Sequence, residues 1–417
     1  MHIIFYITVG SVYIVGFSFL FLWLNRNMGK PVAPKWIVAA FLAKVIAGFA
    51  YGYVYANYFP VSDSWVYFEE SIKEYHVLLN SPADFFSTGL QFHDPGNFFS
   101  TADNAAWSNA GENILIKLLA IFNLLSGGNY YIDVILFNSF SFFGLYLICL
   151  VAFHFFERNK LPVFCLIFFL PSCLFWNSGV DKYGLMLCCT GILIYALFNC
   201  WYKSVTWGRV AAAVFFFAFL FLLRNATALL LLPALLGWWM AIRLTSRKAY
   251  LPFIIIYATC VVCFFLTVYL SPDFNLPLKV AEKQHQFLAL EANTVLPLTP
   301  LQPALKSYLE VLPQALNHIF LRPYITEIKS PFHLMAFVEV LLIVITILIA
   351  FVSDKRKVFA SLKLPFSLFL LLLALSGFLL IGYTVPFTGA IVRYKALYTV
   401  FFLLPFAGTL KCNGTGR

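Results

Sequence analysis

Residues 209–243 read RVAAAVFFFAFLFLLRNATALLLLPALLGWWMAIR, two apolar runs that meet at Arg224-Asn225 and are bounded by Arg209 and Arg243. A membrane span takes about 20 apolar residues, so the stretch reads as a tight hairpin of two spans. Its turn lies on one side of a membrane and its basic ends on the other.

The same alternation runs through the whole chain. Alternate connections carry Arg26/Lys30/Lys35, Arg158/Lys160, Lys203/Arg209, Arg243/Arg247/Lys248, Lys355/Arg356/Lys357/Lys363 and Lys411/Arg417, which is 16 of the 28 basic residues. Of the 18 acidic residues only Glu157 and Asp354 fall there. By the positive-inside rule these connections face the cytoplasm. Nearly every carboxylate then lies on the outer side. A protein whose chemistry sits there has no ATP to draw on, which points to lipid-linked substrates.

Composition agrees. The 417 residues are 62% hydrophobic and 11% charged, against about 25% charged for a soluble domain. The expected fold is all-α and polytopic, a single multi-pass domain over 1–417. Eleven spans are predicted, at 3–24, 36–58, 130–154, 161–177, 183–202, 208–223, 225–241, 250–270, 331–352, 364–383 and 393–410. The N-terminus falls outside and the C-terminus inside, with no soluble domain after the last span. The short apolar run 112–126 is expected to lie on the outer surface, because a span there would invert every later loop. The net charge of +10 sits in cytoplasmic turns, so it marks topology and contact with anionic lipid rather than nucleic acid. None of the nine cysteines falls in the long outer loops, so no disulfide framework is expected. Cys260 and Cys263 read as packing inside a span.

Two long outer loops remain, 59–129 and 271–330. In the first, Trp65, Phe68, Ile72, Tyr75 and Leu79 step by three and four, which predicts an amphipathic helix ended by Pro82. It is expected to rest on the membrane with Glu69, Glu70, Lys73 and Glu74 turned away. The second loop is rich in proline, with a helix predicted near 279–292 and loop or short helices elsewhere.

Asp63 follows the second span and opens the amphipathic helix. It serves either as a general base on an acceptor hydroxyl or as a helix N-cap. The turn Pro171–Lys182 joins two spans on the outer side. There Lys182 either holds a phosphate at a helix N-terminus or snorkels and pairs with Asp181. Arg224, Arg322 (followed by Glu327) and Arg393-Tyr394-Lys395 are outer cations at span ends, suited to a phosphate or to an ion pair. Lys44 and Glu339 lie inside spans, where charges face a bundle interior. Each is within reach of the other by depth, as an ion pair or a proton or ion path. His93-Asp94 is the one close pair of histidine and carboxylate. A divalent cation, magnesium or manganese, would be held through Asp63, Asp94 or Asp103. No Walker loop, dinucleotide fingerprint or Gly-x-Ser-x-Gly elbow is present.

An outer-loop aspartate after an early span, an amphipathic surface helix and the turn Phe169-x-Pro171-Ser172-x-x-x-Trp176-x-Ser178-Gly179-x-x-Lys182 resemble the GT-C superfamily of integral membrane glycosyltransferases. The late Arg393-Tyr394 is similar to a pair in such proteins and in polysaccharide polymerases of the Wzy or EpsG type. The resemblance implies a polyprenyl-phosphate-linked sugar as donor, a glycan or glycolipid acceptor, inversion at the sugar, and a place in a bacterial cytoplasmic membrane with the active face outside. Asp63 would match the family's catalytic acid. The family often shows two adjacent acids in this loop, whereas Ser64 follows Asp63 here, and Glu69 and Glu70 come later. A polymerase would lean on Arg224, Arg322 and Arg393. A transporter or flippase of a lipid-linked glycan would need more intramembrane charges and internal repeats.

Overall fold

The computed structural model describes residues 2–59, 62–87, 105–244, 248–290 and 294–410. Among these residues it is helical, with no strand. In order the helices are α1 (His2–Asn27), α2 (Pro34–Tyr58), α3 (Asp63–Asn80), α4 (Pro82–Ser87), α5 (Ala105–Ser126) and α6 (Tyr130–Phe155). There follow α7 (Lys160–Phe169), α8 (Pro171–Trp176), α9 (Lys182–Tyr202), α10 (Trp207–Leu223), α11 (Asn225–Arg243) and α12 (Tyr250–Leu266). The last are α13 (Leu276–Leu288), α14 (Leu305–Phe320), α15 (Pro331–Leu362), α16 (Pro365–Thr384) and α17 (Thr388–Ala407).

Among the described residues nine helices are long and apolar enough to cross a membrane, as a multi-pass membrane protein requires. The other two expected spans come out shorter. α10 has 17 residues. The 161–177 run is broken, because Pro171 has no N–H to continue the α7 ladder and Leu170 before it takes an extended backbone. α15 runs past its expected end but breaks at Asp354 (φ −166°, ψ 87°). Asp354 Oδ1 then accepts from the Lys357 amide at 3.1 Å, starting the basic segment as a second helical piece.

The chain divides into two compact units, Met1–His154 with Cys173–Ala228 and Phe155–Ser172 with Leu229–Arg417. In the first, the rings of Phe21, Phe41 and Phe142 pack α1, α2 and α6 together. A Cβ at Gly144 or Gly191 would run into the facing backbone, so α6 and α9 touch there through bare glycine, the contact that small residues allow between membrane helices. Gly127 and Gly128, both at positive φ, make the tight turn from α5 to α6.

α3 forms as its periodicity predicts, but its buried side differs. Ser64, Tyr67, Phe68 and Ser71 are buried while Leu79 is exposed. The reason is a polar seam. The Ser64 and Tyr130 hydroxyls lie 2.7 Å apart, Asn123 Nδ2 donates to Ser71 Oγ at 3.0 Å, and Lys117 pairs with Glu74 at 3.2 Å. α3 is thus set against α5 and α6. Trp65 stacks on Tyr130 with centroids 4.1 Å apart, and its Nε1 donates to Gly52 O.

In the second unit, Trp238, Phe155, Phe366 and Phe369 form an aromatic core. The proline-rich segment is more regular than expected, since α14 forms around Pro313. Gln284 of α13 is buried with its amide shared between Thr299 O, Tyr383 O and the Leu301 N–H, which ties this segment to α16.

Candidate functional site

The turn between α8 and α9 is built from below. Lys44 of α2 donates from Nζ to Asn177 O at 2.8 Å and to Ser178 Oγ at 3.0 Å. Asn138 Nδ2 donates to Ser178 O at 2.8 Å, and Ser141 Oγ to Asn177 O at 3.1 Å. Gly179 lies flat on the Tyr51 ring, where a Cβ has no room. A buried charge and two α6 side chains therefore fix the turn, and Asp181 emerges as the N-cap of α9, accepting from the Lys182 amide at 2.6 Å. Lys44 thus has its partners in the first unit, and Glu339 lies beside Lys395 in the second.

Lys182, the first residue of α9, does not pair with Asp181 as its neighbour. Its Nζ lies 2.7 Å from Glu112 Oε1, a side chain of α5 that is only 7% exposed. α5 comes this close because residue 111 is glycine. A Cβ there would lie 2.8 Å from Leu222 O and 2.9 Å from Leu223 O at the end of α10. Arg224 caps α10 in an extended conformation, and its Nη1 donates to the Tyr183 hydroxyl at 3.0 Å, with the guanidinium over the same ring.

Tyr67 of α3 feels the charges of this group. Burial pushes its hydroxyl well above the usual tyrosine range, and the carboxylates of Glu112, Asp181 and Asp63, with Tyr183, add to the shift. Asp63 is the first residue of α3, while Ser62 takes the N-cap position. Asp63 is thus not the cap that its sequence position also allowed. The cluster holds three carboxylates (Asp63, Glu112, Asp181), two cations (Lys182, Arg224) and two phenols (Tyr67, Tyr183). They come from the first turns of α3, from α5, from the start of α9 and from the end of α10. Such an arrangement can bind an anion at the cations and take a proton at a carboxylate. Glu69 is exposed and Glu70 pairs with Lys73 at 2.6 Å, a turn further along α3.

Arg322, Glu339, Arg393, Tyr394 and Lys395 lie in the second unit. Arg322 Nη1 pairs with Glu327 at 3.2 Å and stacks over Tyr324. Arg393 lies over Tyr394. Lys395 is fully buried, with Nζ 4.0 Å from Glu339 Oε1 and 3.5 Å from Ile319 O. Beside this group, burial and the Arg322 charge push the His318 imidazole down to about 4. His93, Asp94 and Asp103 lie outside the described residues. Among the described residues no group of three His, Cys, Asp or Glu side chains is placed to hold a metal ion.

Tyr67, Glu112 and Tyr183 were not singled out by the sequence. Glu112 carried a signal, a lone carboxylate opening an apolar run, but its lysine is 70 positions away. No family model matches the chain, and neither a curated protein nor a solved structure does.

Proposed function

We propose that the chain is an inverting membrane glycosyltransferase that moves a sugar from a polyprenyl phosphate to a glycan or glycolipid hydroxyl at the outer face of a bacterial cytoplasmic membrane. The observation that carries this reading is the pair of cations Lys182 and Arg224, held by Glu112 and the Tyr183 hydroxyl at the start of α9 and the end of α10, with Asp63 opening α3 and Asp181 capping α9. Asp63, Asp181, Lys182 and Arg224 stand at helix ends, which the charge pattern of the sequence assigns to the outer side. Lys182 and Arg224 would hold the donor phosphate, as an ammonium and a forked guanidinium do, and stabilise the charge that develops as the sugar–oxygen bond breaks. The acceptor oxygen attacks the anomeric carbon from the opposite face, the polyprenyl phosphate leaves, and Asp63 takes the acceptor's proton. Orientation of the two substrates supplies much of the rate. The structural roles of Lys44 and Glu339 leave less support for a transporter, which would need such charges for its path.

A second reading, a polymerase of Wzy or EpsG type, draws on Arg322 and Arg393, each set beside a tyrosine ring. The deciding experiment is Asp63→Asn in membranes supplied with polyprenyl-phosphate sugars, with protein amount controlled. Loss of product with retained donor binding is the expected result. Unchanged transfer would remove Asp63 from the mechanism and favour the arginine-centred reading.

A further inference from the structure

This inference rests on Lys182 and Arg224 being the phosphate-holding pair. Lys182 is the first residue of α9. The amide end of a helix carries partial positive charge, so an ammonium there is at the wrong end unless an anion stands beside it. Asp181 caps that helix end, and Glu112 faces the ammonium itself at 2.7 Å, nearly out of solvent. A lysine and a nearby arginine also make a phosphate site. Glu112 thus sits on the lysine where a phosphate oxygen would sit.

The surroundings give this placement a use. Phospholipids at a membrane surface present the same group as the donor, a phosphodiester anion, in great excess. An open cation pair at the ends of membrane helices would fill with them. Glu112 is tethered: Gly111 seats α5 on the end of α10, and a tethered group competes at high effective concentration. Exchanging one anion for another keeps the Lys182 ammonium compensated, and the displaced Glu112 carboxylate turns toward solvent. We propose that Glu112 is a positioning residue that occupies the phosphate subsite until donor arrives. It thereby excludes phosphodiester headgroups and yields to a donor whose sugar adds contacts beside Asp63 and Tyr67. The residue is a selectivity device rather than the proton acceptor.

The test uses the full chain purified in dodecyl maltoside and titrated with phosphatidylglycerol, with bound lipid counted by native mass spectrometry. Glu112→Gln is expected to retain about tenfold more phosphatidylglycerol than the parent, since it removes a tethered competitor. Glu112→Asp, one methylene shorter, should retain an intermediate amount and keeps the test open if the glutamine variant unfolds. Adding Lys182→Ala to Glu112→Gln should return retention to the parent level. In transfer assays, phosphatidylglycerol should raise the donor KM of Glu112→Gln and leave that of the parent unmoved. Equal lipid retention by the parent and both Glu112 variants would overturn the proposal. If the parent transfers no sugar while the graded lipid pattern holds, the transferase reading fails and the placeholder role stands.

Discussion

The buried ammonium of Lys44 donates to the carbonyl oxygen of Asn177 at 2.8 Å, so a charge inside α2 anchors the turn that delivers Asp181 and Lys182. A hydrogen bond to a charged group contributes about 1.5–3 kcal/mol, and its loss here also strands a buried carbonyl. Lys44→Met is therefore expected to lower stability by about 2 kcal/mol and to reduce transfer more than stability alone explains, since Lys182 loses its fixed position. Thermal unfolding in detergent, read alongside donor KM, checks this. An unfolded midpoint and KM both equal to the parent's would show that the turn holds without its clamp.

Gly111 makes a second, independent demand. Its Cβ in Gly111→Ala would press on Leu222 O and Leu223 O at 2.8 and 2.9 Å. Backbone cannot swing aside as a side chain does, so α5 must shift and carry Glu112 off Lys182. Overpacking of this kind costs about 1–3 kcal/mol. The expected signature is a protein that still folds but retains phosphatidylglycerol like the Glu112 variants. A Gly111→Ala protein with the parent's lipid count would show that α5 has slack at this point.

How much of this was readable beforehand depends on distance along the chain. The spans were legible because twenty apolar residues announce themselves, and α3 because Trp65, Phe68 and Ile72 repeat at helical spacing. The break at Pro171 stood in the sequence, yet its run reads as one span when only apolar content is counted. α14 was hidden by Pro313, a residue that normally argues against a helix interior. The face of α3 was misjudged because periodicity reports apolar side chains, whereas Ser64, Tyr67 and Ser71 are buried through hydrogen bonds and charges from α5, α6 and α9. Asp63, Asp181, Lys182 and Arg224 are each visible in the sequence as charges near the ends of expected spans. Glu112, which joins Lys182 across 70 positions, was visible only once the chain had folded.

His318 gives a pH prediction. Its imidazole is buried in α14, an element outside the candidate spans, and its Nδ1 has no hydrogen-bond partner among the described residues. Burial, then Arg322, lowers it from 6.5 to about 4. The sign follows from linkage. As pH falls below about 6.5 the unfolded chain takes up a proton that the folded chain refuses. Stability therefore drops between about pH 6.5 and 4, by at most about 3 kcal/mol, and levels off below that. His318→Leu should flatten that window. A parent and variant with parallel melting curves across it would place the acid sensitivity elsewhere.

Lys395 and Glu339 pose the sharpest choice between structure and function, because sequence placed both at sites of possible chemistry. Each is almost wholly out of solvent, their charged atoms lie 4.0 Å apart, and neither Glu339 oxygen has a hydrogen-bond partner among the described residues. Removing one member of a buried pair leaves an uncompensated charge and costs about 3–5 kcal/mol, while replacing both with apolar groups is often neutral or better. Lys395→Met alone is expected to destabilise strongly, and the double variant Lys395→Met/Glu339→Leu to recover most of the loss. If the pair only packs α15 against α17, the recovered double variant also recovers transfer. A double variant that melts like the parent but makes no product would instead place this pair in the chemistry.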